Sequence, residues 1–408
     1  MSRAEMLRNT PLRALLAAET ISTTGTQMTW LALPWFVLVT TGSPARMTLV
    51  MIAELVGLAA AGLPAGAVLQ RFGARRTMLV ADAVRAPLML LVPVLHWTGH
   101  LSVPALVALA FALGALAGPY FAAQRMMLPE LLGENEAVVT QANALLQGAV
   151  RVTMLLGPPL GGVLIGLIGA PSVLLVDAAT YAVSFVLVLV FVPSRRPVPV
   201  EDDSRGLLSG LRFLVHEPLL RVWTPLFILG DAAWQAFFAA VPVLVIERFG
   251  AHATIAGILF AGFGAGAVLG NLLSFRFLAQ RFEGLRLVAF SVPFQALPLW
   301  ILPLDVGAPV LFAAILMSGI ANGICNPTIH SVMTLRMPPA IRAKAMTAFM
   351  TIWGVAMPLG LVIAGPVLSV YGARPVLIGF AAVQSVAMLG VAVSSLRVRQ
   401  AVPEPAPA

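Results

Sequence analysis

The sequence predicts an all-α membrane protein with twelve transmembrane helices in two pseudo-symmetric six-helix bundles. Three observations carry this expectation. The 408 residues are 59% hydrophobic and only 10% charged, with a mean hydropathy of +0.94, whereas a soluble domain carries about 25% charged residues. Apolar runs recur along the whole chain, and most are long enough for a helix to cross ~30 Å of hydrocarbon, which takes about 20 residues. The runs are unbroken, so helices are expected and not the ~10-residue alternating strands of a barrel.

The expected spans are 14–39, 47–69, 77–96, 103–123, 143–168, 172–193, 221–245, 254–278, 286–304, 308–330, 344–368 and 374–395. Arg3, Arg8 and Arg13 precede a first run too long for the core of a signal peptide, so a cleaved leader is not expected. An even number of spans puts both termini on one side. The basic residues make that side the cytoplasm. Of the 25 Lys and Arg, only Arg46, Arg248 and Arg374 fall in outer loops, Arg85 and Arg151 fall within spans, and the rest fall in cytoplasmic segments. Because they are divided among short loops and form no stripe, they point to topology and not to nucleic acid.

The polar stretch 194–220 divides the chain into six and six spans. The expected domains are an amino-terminal bundle, 1–193, a cytoplasmic linker, 194–220, a carboxy-terminal bundle, 221–398, and a Pro-rich disordered tail, 399–408. Within the linker, Leu207 to Val215 reads as a short interfacial helix. The halves echo each other. GAVLQRFGARR at 66–76 joins spans 2 and 3, and GNLLSFRFLAQRFEG at 270–284 joins spans 8 and 9. GPPLGG at 157–162 in span 5 has a partner in PLGLVIAGP at 358–366 in span 11. Repeated six-helix halves place a substrate site at their interface near the bilayer midplane.

Ionisable side chains within spans are costly and usually face a cavity or a partner. They are Glu19, Glu54, Asp82, Arg85, Arg151, Asp177 and Asp231. Asp82 and Arg85, at i and i+3 of span 3, share a face and can form a clamp. Asp231 sits near the middle of span 7 beside Trp234, Gln235, Phe237 and Phe238, and serves either as a proton site or as a counter-charge for a cationic ligand. Glu54 in span 2 has no partner legible in the sequence, and Asp177 near the outer end of span 6 reads as structural. Thr20, Thr23, Thr24 and Gln27 make a polar stripe on span 1, followed by Trp30. Asn322, Asn326 and His330 repeat at i, i+4 and i+8 on span 10. His330 is either a titrating cavity group or a residue of the cytoplasmic helix end.

There is no P-loop and no catalytic triad, and the five His are scattered; His96 and His100 stand at i and i+4 but at the outer interface, so neither an enzyme nor a metal or nucleotide cofactor is expected. Cys325 reads as a buried small hydrophobe.

In order and spacing, several segments resemble the major facilitator superfamily, and within it the bacterial drug:proton antiporter branch that includes Tap-like, macrolide and enterobactin exporters. They are ISTTGTQMTWLALPWFVLVTTGS in span 1, VADAVRAP in span 3, LPELLGENEAVVTQANALL followed by LGPPLGG, and GLRFLVHEPLLR in the central loop. The family signature between spans 2 and 3 is matched by Gly66, Arg71, Gly73, Arg75 and Arg76, with Gln70 where the family has an aspartate. Gln70 can hydrogen-bond but cannot titrate. Gly157, Pro158, Gly161 and Gly162 match the helix 5 signature associated with antiporters. They read either as a bend that seals one conformation or as ordinary close packing.

The resemblance implies a monomeric, multi-pass transporter of the bacterial cytoplasmic membrane. It would expel amphipathic drugs by alternating access, driven by the proton gradient with no bound cofactor. The alternative is export of one specific metabolite, such as a siderophore or a lipid. In the implied fold spans 1 and 5 are neighbours, and Glu19 and Arg151 lie at similar depths, so a Glu19–Arg151 pair across the cavity wall is expected. The proton-coupling candidates are Asp231, Glu19 and Glu54. The cavity candidates are Thr23, Gln27, Trp30, Arg151, Trp234, Gln235, Phe238, Asn322 and Asn326.

Overall fold

A computed structural model of the chain describes residues 9–62, 64–133, 136–194, 206–278 and 280–397. The first part of the expected linker, 195–205, and the expected tail, 399–408, lie outside the described residues.

Among the described residues the chain is helical throughout, with no strand. In order, the helices are α1 (Thr10–Thr41), α2 (Pro44–Gly62), α3 (Ala65–Phe72), α4 (Ala74–Trp97), α5 (Val103–Leu132), α6 (Glu136–Ile168) and α7 (Ala170–Phe191). After α8 (Gly206–His216) come α9 (Leu220–Phe249), α10 (Ala253–Leu273), α11 (Gly284–Ala296), α12 (Ala308–Arg336), α13 (Pro339–Tyr371) and α14 (Ala373–Arg397). A π turn, Ser274–Leu278, extends α10, and a 3₁₀ turn, Leu297–Ile301, extends α11. Among the described residues, eleven stretches are long and apolar enough to cross a membrane. The 32-residue α1 stands beside them, its apolar run interrupted by Glu19 and the Thr/Gln stripe. Every expected span falls on one of these elements, and span 2 divides into α2 and α3.

Local sequence explains the ends. Asn9 caps α1, its Oδ1 accepting from the Leu12 N–H at 3.1 Å, and Pro11 occupies the first turn, where its missing N–H costs nothing. Gly42 closes α1 in the left-handed region at φ 62°, its N–H donating to Leu38 O at 2.8 Å.

The chain forms two compact units. The first is Met1–Asp203 with Gln235–Ala261 and Met357–Val376; the second is Ser204–Trp234 with Gly262–Ala356 and Leu377–Ala408. In the first, α1 packs on α6 and α7, α4 on α5 and α7, and α2 on α5. Its core at one end is built from Leu12, Leu15, Met78, Tyr120, Met127 and Val188. In the second, α11 packs on α12, and the core gathers Trp223, Val288, Cys325, Met333 and Val391.

The internal repeat is visible in how helices cross. A side chain at Gly114 of α5 would run into the backbone oxygen of Glu54 on α2. In the second unit a side chain at Gly266 of α10 would run into Leu316 O on α12. Small residues thus set the same close approach between spans 2 and 4 and between spans 8 and 10, as membrane helices do where no hydrophobic force separates protein from lipid.

Candidate functional site

The first unit holds a buried polar cluster fed by five helices. On α1, the Glu19 carboxylate accepts from the Tyr120 hydroxyl at 2.9 Å and from the Gln124 amide, both on α5. On α4, Asp82 accepts from the Ser184 hydroxyl of α7 at 2.6 Å. Its other oxygen stands 3.9 Å from the Arg85 guanidinium, an ion pair too long to be a hydrogen bond. Arg85 instead donates to the Tyr181 hydroxyl at 2.8 Å, with its guanidinium over the rings of Tyr181 and Tyr120, 4.0 and 5.2 Å from their centroids. Asp177 on α7 accepts from Thr29 of α1 at 2.6 Å and from Thr180 at 3.1 Å. Glu54 of α2 lies within Coulombic reach of Arg85 and Asp177.

This geometry corrects the expected Glu19–Arg151 pair. Glu19 is 1% exposed and bonded to Tyr120 and Gln124, whereas Arg151 is exposed on α6. Similar depth along two helices fixes height but not the direction in which each side chain points. Asp177, read as a structural residue near the outer end of its helix, is joined to α1 at Thr29. The signal for it was Gly25: a side chain there would collide with Asp177 and Thr180, so α1 and α7 meet at that level.

In the second unit, Asp231 of α9 accepts from the Trp353 indole N–H of α13 at 2.6 Å. Trp234 packs against Phe263 and Phe380, with centroids 4.5 and 5.0 Å away. Gln295, missed in the sequence, is buried on α11; it accepts from the Asn322 amide at 3.4 Å, and its backbone oxygen accepts from Ser318 at 2.7 Å. Asn326 is half-buried and His330 is exposed. Gln235 is 3% exposed, so it lines no open space here, contrary to expectation. Its helical position beside Asp231 was legible, but not the packing that covers it.

Further along α9, residues from 235 onward belong to the first unit. There Trp30 meets Phe238 edge to face at 6.1 Å, and Phe238 meets Phe260 at 5.6 Å. Thr23 and Gln27 are half-buried on α1. The helix 5 signature lies on α6, where each glycine meets a different neighbour. A side chain at Gly157 would strike Gln27, one at Gly161 would press on Met28 at 3.0 Å, and one at Gly162 would meet Ala253 O at 2.8 Å and Gly257 Cα at 3.0 Å on α10. Pro158 closes the same crossing from behind, its carbonyl 2.8 Å from where a Gly257 side chain would begin. Around the span 2–3 signature, Gly66, Gln70, Arg71 and Arg76 are exposed, and Gly73 is buried between α3 and α4. Arg75 donates to Val192 O at 2.6 Å and Leu189 O at 2.8 Å, tying the start of α4 to the end of α7.

Membrane-length helices with polar groups buried among them define a multi-pass membrane protein. The family description Major Facilitator Superfamily matches residues 15–361 and 225–408, and the chain belongs to that family. It is 27% identical over 377 residues to the multidrug efflux pump Tap of Mycolicibacterium fortuitum, covering 89% of this chain and 90% of that one. It is 26% identical over 374 residues to the pump of the same name from Mycobacterium tuberculosis (strain ATCC 25618 / H37Rv), covering 89% and 88%. Among solved structures, the nucleoside transporter NupG shares the fold with a TM-score of 0.77 at 14% identity, over 95% of this chain and 99% of that one. A D-xylose-proton symporter does so with a TM-score of 0.69 at 14% identity, over 93% and 96%.

Proposed function

We propose that the protein expels amphipathic, drug-like molecules across a bacterial cytoplasmic membrane in exchange for protons, by alternating access. The observation that carries this reading is the likeness to the Tap pumps across nearly the full length of both chains. Each proton moved inward contributes ~2.3 kcal/mol per 100 mV of membrane potential, so no bound cofactor is needed. Both termini face the cytoplasm, as the arginine distribution favours, and the working unit is a monomer of two six-helix halves.

Asp231 is the substrate-facing charge. Its partner Trp353 is a neutral donor, and among the described residues it makes no ion pair, so its negative charge is available to a cation or a proton. Within the second unit, Trp234 supplies flat apolar surface and Asn322 a polar contact; within the first, Trp30 and Phe238 supply flat apolar surface and Gln27 a polar contact. Glu19 and Glu54 serve proton coupling. The Gly162–Gly257 crossing is the seal at the outer end.

The test is growth of a drug-sensitive host expressing the protein. Raised tolerance to several unrelated amphipathic compounds, abolished by a protonophore, supports the reading. Unchanged tolerance with release of a single metabolite contradicts it.

A further inference from the structure

We propose that the coupling proton is shared by Glu19, Glu54, Asp82 and Asp177 around Arg85, and that this cluster acts on the outer seal through α1. The inference rests on the reading of the chain as proton-driven, and it adds Asp82, Arg85 and Asp177 to the coupling machinery.

Charge counting is the first argument. All four carboxyls lie within Coulombic reach of Arg85, the cation among them. One guanidinium balances one carboxylate. The others are balanced by protons, or they remain as charge inside an apolar bundle, which is costly. Arg151, the other intramembrane arginine, is exposed on α6 and makes no part of the cluster.

The second argument is incomplete pairing. Among the described residues, Asp82 Oδ1 and Arg85 Nε are buried with no hydrogen-bond partner. Arg85 holds Asp82 only loosely and sits between Tyr120, which bonds Glu19, and Tyr181, which stands 3.0 Å from Thr26. A guanidinium placed this way can turn toward whichever carboxylate lacks a proton. A cluster kept only for stability would be closed, because an unsatisfied buried polar group is destabilising.

The third argument is mechanical. Glu19, Thr26 and Thr29 join α1 to the cluster, while the next residues, Gln27 and Met28, lie under Gly157 and Gly161 of α6. The next residue of α6, Gly162, meets Gly257. A proton arriving from the outer water forms an O–H bond on one carboxylate, Arg85 re-pairs, and α1 shifts against α6. Loss of that proton to the cytoplasm reverses the shift.

The experiment uses purified full-length protein in proteoliposomes, with ethidium as the probe. In Arg85→Gln and Asp177→Asn, ethidium exchange at equal pH is expected to persist, while accumulation against its gradient falls about tenfold or more, the scale of a lost coupling interaction. Thr29→Val keeps every charge, guards against misfolding of the charge variants, and is expected to displace the pH profile of accumulation. Infrared pH-difference spectra of the protein without substrate should show a titrating carboxyl C=O band that shrinks in Glu19→Gln and Asp177→Asn. Full accumulation with an unmoved pH profile in these variants, or a band unchanged by them, overturns the proposal. If the wild type moves no ethidium, the proposed function fails, and the infrared band alone decides for or against the cluster.

Discussion

Trp353 Nε1 donates to Asp231 Oδ2 at 2.6 Å, joining α9 to α13 through a neutral donor. A carboxylate held this way keeps its charge available. Asp231→Asn is therefore expected to weaken binding of cationic amphipathic substrates by about 10- to 100-fold, since each factor of ten is ~1.4 kcal/mol. Neutral substrates of similar size should bind as before. Fluorescence titration with a matched cationic and neutral pair checks this, and equal losses for both would contradict it. Trp353→Phe removes the donor together with part of the ring, leaves the Asp231 charge in place, and should show a smaller effect in the same direction.

The α6–α10 crossing leaves no room for a methyl. Added at Gly162 it would meet backbone at 2.8 Å, and at Gly257 it would meet Pro158 O at 2.8 Å. Backbone cannot swing aside as a flexible side chain does, so the helices must part by a few tenths of an ångström. Overpacking of this kind costs about 1–3 kcal/mol, enough to shift a two-state equilibrium roughly 5- to 150-fold. Gly162→Ala and Gly257→Ala should lower transport by that order while the protein remains folded, as size-exclusion profiles and transport rates together would reveal.

Arg75 places two donors on carbonyls at the end of α7, where the helix dipole is negative and carbonyls lack partners. Arg75→Ala is expected to destabilise the first unit by roughly 1–3 kcal/mol. Thermal unfolding in detergent measures it, and an unchanged midpoint would show that the contacts carry no net stability.

Glu217 does similar work in the second unit. It accepts from the N–H groups of Leu219 and Leu220 at 2.8 and 2.5 Å, opening α9, and pairs with Arg336 at 3.1 Å. Glu217→Ala should cost about 1–2 kcal/mol, as loss of a helix cap does, and Arg336→Ala should cost less because the cap survives. A double-mutant cycle on unfolding midpoints separates the two contributions.

The spans were legible because hydrophobic length alone decides whether a segment can cross a bilayer. The division of span 2 into α2, ending at Gly62, and α3, starting at Ala65, was not, because it interrupts an apolar run with little change in polarity. Within the site, Asp82 and Arg85 were read as neighbours from their i, i+3 spacing, and they are. The partners of Glu19 and Asp177 were not legible. Both depend on rotation about helix axes, which the packing of small residues such as Gly25 and Gly114 sets across the bundle. Gln295 escaped notice because a lone glutamine in an apolar run carries no periodic signal.

The central claim is that proton flow drives export. It is tested most directly by loading proteoliposomes that contain the wild-type protein with an amphipathic fluorescent dye and imposing a pH gradient across them. The account predicts dye movement against its own concentration gradient, coupled to proton movement the other way and abolished when a protonophore collapses the gradient. Dye that only equilibrates, at a rate indifferent to the pH gradient, would contradict it.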